Sequence, residues 1–256
     1  MITTKNLTKR FGKVTAVDNL SLHIGSGELF GFLGPNGAGK TTTINMLTGL
    51  LQPTSGTATI CGFDIQTQPL QAKAVTGLLP DTPHLYETLT GRQFVRFIAD
   101  LYEIEPKRSE QRMDELFELF DIAASADDLI RSYSHGMKKK LLLTSVIVQE
   151  PKVMFLDEPT SGLDPKSART AKEILRALCD RGCTAFMTTH ILEIAESMCD
   201  RIGIINKGQL IAVGTMEELR QSKGVNGLSL EDIFLELTGG IEYEEMMRFL
   251  EDGIVK

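Results

Sequence analysis

The chain has 256 residues, 42% of them hydrophobic, and a formal net charge of −7, enough to bury a substantial core in one domain or a domain with a subdomain. The acidic balance excludes a general nucleic-acid binder, which needs a clustered basic surface to neutralise phosphates. No run reaches the roughly 18 uninterrupted apolar residues of a membrane span, and MITTKNLTKRFG lacks the apolar core of a signal peptide, so the expected compartment is the cytosol.

In chain order, the runs ITTKNLTKRF (2–11), VDNLSLHIG (17–25) and GTATICGFDI (56–65) alternate as strands do. Between the second and third, ELFGFLG reads as a buried strand and TTTINMLTGL as a helix. The loop joining them carries Gly34, Gly39, Lys40 and Thr41 in the pattern G-x-x-x-x-G-K-S/T. Gly34, Gly37 and Gly39 permit backbone angles that aim successive N–H groups into one concavity at the positive end of the helix. The residues Gly34, Pro35, Asn36, Gly37, Ala38, Gly39, Lys40, Thr41 and Thr42 are therefore the expected cradle of a nucleoside triphosphate. Lys40 suits the β and γ phosphates, and the Thr41 hydroxyl suits the magnesium ion that bridges them.

Phe94, Phe97, Ile98 and Leu101 repeat at i, i+3, i+4 and i+7, and Met113, Leu116, Phe117 and Phe120 are spaced alike. Such stripes are expected core faces of helices. Lys138, Lys139 and Lys140 form the one basic run, read either as a solvated helix face or as a contact with an anionic partner. KVMFLDEP then gives a continuous apolar strand ending in two carboxylates. Side chains alternate along a strand end, so Asp157 and Glu158 are expected to point differently. Asp157 fits a magnesium role, and Glu158 fits orientation or deprotonation of an attacking water. TAFMTTH places His190 at the end of another strand, where ligands of open parallel α/β sheets gather. Cys61, Cys179, Cys183 and Cys199 show neither C-x-x-C spacing nor a histidine cluster, so they read as reduced, buried or half-buried thiols.

NKGQ at 206–209 resembles the guanine-reading N-K-x-D element but lacks its carboxylate at Gln209. It reads better as a turn between the strands RIGIIN and QLIAVG. Ser229 and Asp232 make a capping-box-like start for a helix striped by Leu230, Ile233, Phe234 and Leu237 and ending at Gly239 and Gly240. A further stripe follows at Tyr243, Met246, Met247 and Leu250. These C-terminal helices are expected to pack on the chain's own core or on a second subunit.

The stretch YSHGMKKKLLLTSVIVQEPKVMFLDEPTSGLDP (133–165), with the loop above and His190, resembles the ATP-binding-cassette ATPases from about residue 2 to residue 220. Ser134, His135, Gly136 and Met137 stand at the family's L-S-G-G-Q signature, Asp164 closes its D-loop, and His190 is at its switch histidine. The resemblance implies an α/β fold: a RecA-like P-loop NTPase core, an N-terminal antiparallel β subdomain and an inserted helical subdomain at about 82–148. Residues 1–220 would form the nucleotide-binding domain and 221–256 an extension. It implies ATP hydrolysis with Mg2+ held by Thr41, Asp157 and Asp81, and catalysis by Glu158 and His190. It also implies a homodimer in which each ATP lies between one chain's loop and the other chain's signature. Phe11 stands where the family stacks an aromatic on adenine; a buried core phenylalanine is the alternative.

Two positions depart from the commonest form. Asp81 replaces the usual glutamine, exchanging a donor for a negative charge. His135 and Met137 replace a glycine and the signature glutamine; His135 reads equally as a donor to the partner's ATP or as an exposed loop residue. These variants are similar to the branch serving ABC-2 type exporters, which implies a peripheral subunit on the inner face of the cell membrane, working with separate membrane-spanning subunits and no nucleic acid. The alternative is a soluble cassette ATPase acting on ribosomes or DNA. Such proteins generally carry two cassettes or a long coiled coil, and this chain has one signature and no long heptad run.

Overall fold

The computed structural model describes residues 1–82, 85–222 and 229–239, and among these residues the strands form two sheets. The element order is β1 (Ile2–Phe11), β2 (Val14–Ile24), β3 (Leu29–Leu33), α1 (Lys40–Leu47), β4 (Ser55–Ile60), β5 (Phe63–Asp64), α2 (Pro69–Ala74), β6 (Thr76–Leu79), α3 (Gly91–Leu101), α4 (Pro106–Leu119), α5 (His135–Val148), β7 (Val153–Asp157), α6 (Pro165–Asp180), β8 (Thr184–Thr188), α7 (Leu192–Met198), β9 (Arg201–Asn206), β10 (Gln209–Gly214), α8 (Met216–Ser222) and α9 (Leu230–Thr238).

The first sheet is antiparallel, in the order β2-β1-β4-β5. The run at 56–65, expected as one strand, is a hairpin. Cys61 (φ 51) and Gly62 (φ 85) take the left-handed angles of a tight turn and reverse the chain between β4 and β5. The second sheet runs β10-β9-β3-β8-β7-β6, with only β10 antiparallel to its neighbour. Its strands β3, β7 and β8 are buried at every position, which explains their continuous apolar sequence: parallel strands are covered on both faces. Phe186 sits at the centre, its ring 5.1 Å from Phe32, 5.7 Å from Phe155 and 5.8 Å from Phe30.

This order positions the site. Because β3, β8, β7 and β6 are adjacent and parallel, the segments leaving their carboxyl ends converge on one edge of the sheet. Those segments carry Gly34–Thr42, His190, Glu158 and Asp81. The strand β6, which presents Asp81, was not anticipated, since TGLL is too short to show a period.

Helices α3, α4 and α5 pack on one another between β6 and β7. Met113, Leu116, Phe117 and Phe120 are buried as their spacing requires. The α3 stripe is a correction. Phe94 and Ile98 do pack on the core, but Val95 and Ala99 share that face, whereas Phe97 is 44% and Leu101 66% exposed. The NKGQ segment is the expected turn, with Lys207 and Gly208 at positive φ between β9 and β10. Helix α9 begins with the expected capping box of Ser229 and Asp232 and buries Leu230 and Ile233 against Leu33, Ala195 and Ile202. The stripe at Tyr243–Leu250 lies outside the described residues.

The basic run is not a solvated helix face. Lys139 is completely buried and Lys140 nearly so. Lys138 pairs with Glu87 at 2.5 Å, and Lys140 with Asp164 at 3.1 Å. The cysteines are free thiols, Cys179 buried and the others half-buried. Burial pushes Cys179 up to about 11 and Cys183 and Cys199 up to about 12, which keeps them protonated and unreactive.

Candidate functional site

The loop after β3 closes tightly on the neighbouring strands. A Cβ on Gly34 would stand 2.3 Å from the Ile205 carbonyl oxygen, and one on Gly39 (φ 112) would stand 2.5 Å from that of Ala16. Backbone cannot yield as a side chain does. Gly34→Ala is accordingly expected to lower unfolding free energy by about 1–3 kcal/mol; chemical denaturation measures this, and an unchanged midpoint would contradict the close approach.

Gly39 is the N-cap of α1 and, being glycine, offers no side-chain acceptor; no acidic residue lies in the first turn. The leading amide N–H groups of that helix have no intrahelical acceptor, so this end is an anion site by construction. Lys40 folds back over the loop, its ammonium donating to the carbonyls of Gly34 at 2.6 Å and Pro35 at 3.1 Å. Burial lowers its pKa, and the charges of Glu158 and Asp157 oppose that shift.

Asp157 ends β7, buried, and takes two hydroxyl donors: Thr41 at 3.0 Å on Oδ2 and Thr188 at 2.5 Å on Oδ1. Glu158 does point elsewhere, but not through simple strand alternation. It leaves the strand at φ 51, in the left-handed region that disfavours residues with a Cβ. Its Oε1 lies 2.9 Å from Nδ1 of His190, whose ring is mostly exposed. Its Oε2 is buried without a hydrogen-bond partner among the described residues. An orphaned carboxylate oxygen beside a polar cavity is a place for a water or a ligand hydrogen.

These groups line one cavity of about 610 Å3, bounded by Ala16, Asn36, Gly37, Gly39, Lys40, Thr41, Thr42, Asp81, Asp157, Glu158, Ser161 and His190. Gly34 and Pro35 support the cavity through the carbonyls that hold Lys40, and Ala38 accepts from the Gly208 N–H at 3.0 Å. Among the described residues no three of His, Cys, Asp and Glu cluster as a metal site. The donor set does fit magnesium, because the paired Thr41 hydroxyl and Asp157 carboxylate are hard oxygens beside a phosphate-sized cavity, and Mg2+ keeps waters and phosphate oxygens for the rest of its octahedron.

The signature residues lie outside the cavity. Ser134 caps α5, accepting from the Met137 N–H at 3.2 Å, so the helix starts at His135. Ser134 and His135 are exposed, Gly136 and Met137 half-buried, and the His135 ring lies against Gly162, where an added Cβ would approach Cδ2 to 2.8 Å. Asp164 caps α6. It accepts from the Ser167 hydroxyl at 2.7 Å and the Ser167 N–H at 2.9 Å, and pairs with Lys140. Those contacts, Ser167 foremost, hold its carboxyl far below the usual carboxylate range. Phe11 is 50% exposed, with Lys9 Nζ 5.2 Å from its ring centre; it is not a buried core residue.

Two residues at the site, Ala16 and Thr188, escaped sequence reasoning, whereas Ser161 opens the D-loop stretch that Asp164 closes. Ala16 carries no chemical signature. Thr188 is set opposite Asp157 by the pairing of β8 with β7; its place two residues before His190 was the available signal.

Residues 17–161 match the family model described as ABC transporter. The daunorubicin resistance ATP-binding protein DrrA3 of Streptomyces coeruleorubidus is 39% identical over 87% of this chain and 71% of its own length. The linearmycin resistance ATP-binding protein LnrL of Bacillus subtilis is 37% identical over 86% and 70%. A solved ATP-binding subunit of an ABC transporter superposes with a TM-score of 0.90 at 30% identity, covering 93% of this chain and 99% of that one.

Proposed function

This chain belongs to the ABC transporter family, and from that we propose that it is the ATP-hydrolysing subunit of an exporter whose membrane-spanning part is carried by separate subunits. The observation that carries the enzymatic half is Glu158: a carboxylate paired with His190, with one buried oxygen unpartnered among the described residues, beside the uncapped end of α1. The transport half is supported by two relatives named as drug-resistance ATP-binding proteins. No helix among the described residues is long and apolar enough to cross a membrane.

In this reading the triphosphate of ATP lies on the amides of the loop from Gly34 to Thr42. Lys40 exchanges its two carbonyl acceptors for β and γ phosphate oxygens. Thr41 and Asp157 would hold magnesium, with Asp81 on the wall of the same cavity. When bound, the ion would neutralise negative charge on the triphosphate. Glu158 orients a water through Oε2 and receives its proton as the water oxygen bonds to the γ phosphorus. The bond from that phosphorus to the β–γ bridging oxygen breaks, leaving ADP and phosphate. His190 holds Glu158 in aim through the Nδ1 contact.

The signature serves a second copy. Ser134, His135, Gly136 and Met137 sit at the start of a 14-residue helix with no acid in its first turn, so this end is also electropositive. Two copies related by a twofold axis would each offer it to the other's ATP, with Phe11 against the adenine and Asp164 near the seam. Residues 1–220, with the helical insertion at about 82–148, form the nucleotide-binding domain in this reading, and 221–256 an extension docked through α9. The protein sits at the inner face of the membrane through its partners.

The exposed side of α3 supports a membrane-subunit contact. Tyr86, Phe97 and Leu101 are 60%, 44% and 66% exposed, and the Tyr86 and Phe97 rings meet edge-on at 5.7 Å. Contiguous exposed apolar groups mark an interaction surface. Pull-down of the tagged chain from detergent-solubilised membranes is expected to recover a multi-span membrane protein, and Phe97→Glu to reduce that recovery at least about tenfold while basal ATP turnover is kept. Recovery of ribosomal or DNA-repair proteins in its place would refute the exporter reading.

A further inference from the structure

Lys139 has no part in the mechanism above, yet it is completely buried, and a lysine is almost never so unless its ammonium is fully partnered. Its Nζ donates to three main-chain carbonyls, those of Pro80 and Asp81 at 3.2 Å each and that of Asp157 at 3.3 Å. An ammonium carries three N–H bonds, so each has one acceptor. Burial lowers the pKa of this ammonium, and the carboxylates of Asp81, Asp157 and Glu158 oppose that shift.

The third acceptor matters most. The Asp157 carbonyl belongs to the peptide group whose nitrogen is that of Glu158, and this N–H donates to the Thr188 carbonyl at 3.1 Å. The peptide between the two carboxylate residues is therefore gripped at its oxygen by Lys139 and at its nitrogen by β8. Such a grip has a physical reason. Glu158 holds φ 51, an unfavourable angle for a side chain with a Cβ, and strained residues persist only where their surroundings over-determine them. Lys139 also stands in the second turn of α5, the helix that Ser134 caps, and its other two acceptors lie on the loop that presents Asp81.

We propose that Lys139 is a positioning residue for ATP hydrolysis: it fixes the Asp157–Glu158 peptide, and so the aim of the Glu158 carboxylate, and ties that peptide to the Pro80–Asp81 loop and to α5. The proposal rests on the reading of Glu158 as the acceptor of the water proton. Lys139 touches no reacting atom, and its effect falls on turnover and not on nucleotide affinity.

The test compares Lys139→Met, which keeps the stem and removes all three donors, with Lys139→Gln, whose amide restores two. ATP turnover is expected to fall about 100-fold in the Met variant and about tenfold in the Gln variant, with KM for ATP within about threefold of the parent in both. Amide hydrogen exchange at Glu158, followed without nucleotide, is expected to quicken in the same order while the interior of α5 stays protected. Unchanged turnover and exchange in Lys139→Met would overturn the proposal. So would a raised KM with kcat preserved, or the failure of both variants to fold, which would make the lysine a core element only. A parent chain without ATP turnover would defeat the reading of Glu158; the exchange measurement would still decide whether Lys139 grips this peptide.

Discussion

Glu158→Gln is expected to reduce ATP turnover by about 10²- to 10⁴-fold, the usual contribution of a positioned general base, while ATP still binds. The amide matches the carboxylate in size, so the left-handed turn after β7, the contact toward His190 and the shape of the cavity all survive. What is lost is the capacity of Oε2, buried and unpartnered, to take a proton from water. A chain that binds ATP but cannot cleave it should accumulate in the state that ATP favours. Size-exclusion chromatography with ATP and magnesium is then expected to show a dimer that persists, where the parent chain returns to monomer as ATP is consumed. Monomers at saturating ATP would refute the shared two-chain site, and turnover near the parent level would refute the role of Glu158 itself.

Lys40→Ala is expected to act one step earlier, weakening ATP binding about 30- to 1,000-fold, the equivalent of about 2–4 kcal/mol for charge-assisted contacts to phosphate. The ammonium is half-buried and already drawn toward Glu158 and Asp157, and its two acceptors, the carbonyls of Gly34 and Pro35, are neutral groups that phosphate oxygens outbid electrostatically. Removing it leaves two carbonyls facing the cavity and one fewer positive charge against the triphosphate. Titration with a labelled ATP analogue measures the loss. Retained tight binding would mean that the loop amides alone hold the nucleotide. The two substitutions are separable by design: one spares affinity and removes chemistry, the other removes affinity.

How much of this could be read in the sequence depended on whether a residue's role is set locally. The loop from Gly34 to Thr42, the carboxylates after β7 and the histidine after β8 were legible as neighbours, because the ends of adjacent parallel strands bring such residues to one cavity. Lys139 was not: a lysine in a run of three looks solvated, and only the approach of β6 and β7 to α5 turns it inward. Phe97 and Leu101 kept the helical period yet face outward, because Val95 and Ala99 supply a second apolar stripe on α3 and periodicity does not rank one stripe above another. The break between β4 and β5 was hidden by Cys61, whose positive φ no propensity would assign. Asp157 and Glu158 diverge for a reason of backbone conformation and not through the pleat alone.

The strand order also bears on how the chain becomes active during synthesis. β3 and β7 do not pair with each other; the place between them belongs to β8, residues 184–188. A ribosome delivers the phosphate loop first and the carboxylates more than a hundred residues later, yet Thr188 and His190 come later still, and without them Asp157 lacks one hydroxyl donor and Glu158 lacks its imidazole. Insertion of a central strand is a long-range event that tends to come late in folding. If Gly34–Thr42 hold the triphosphate and Glu158 the water, as proposed, a nascent or clipped chain ending before β8 would carry the whole phosphate loop and still be unable to cleave ATP, so that hydrolysis waits for the central strand.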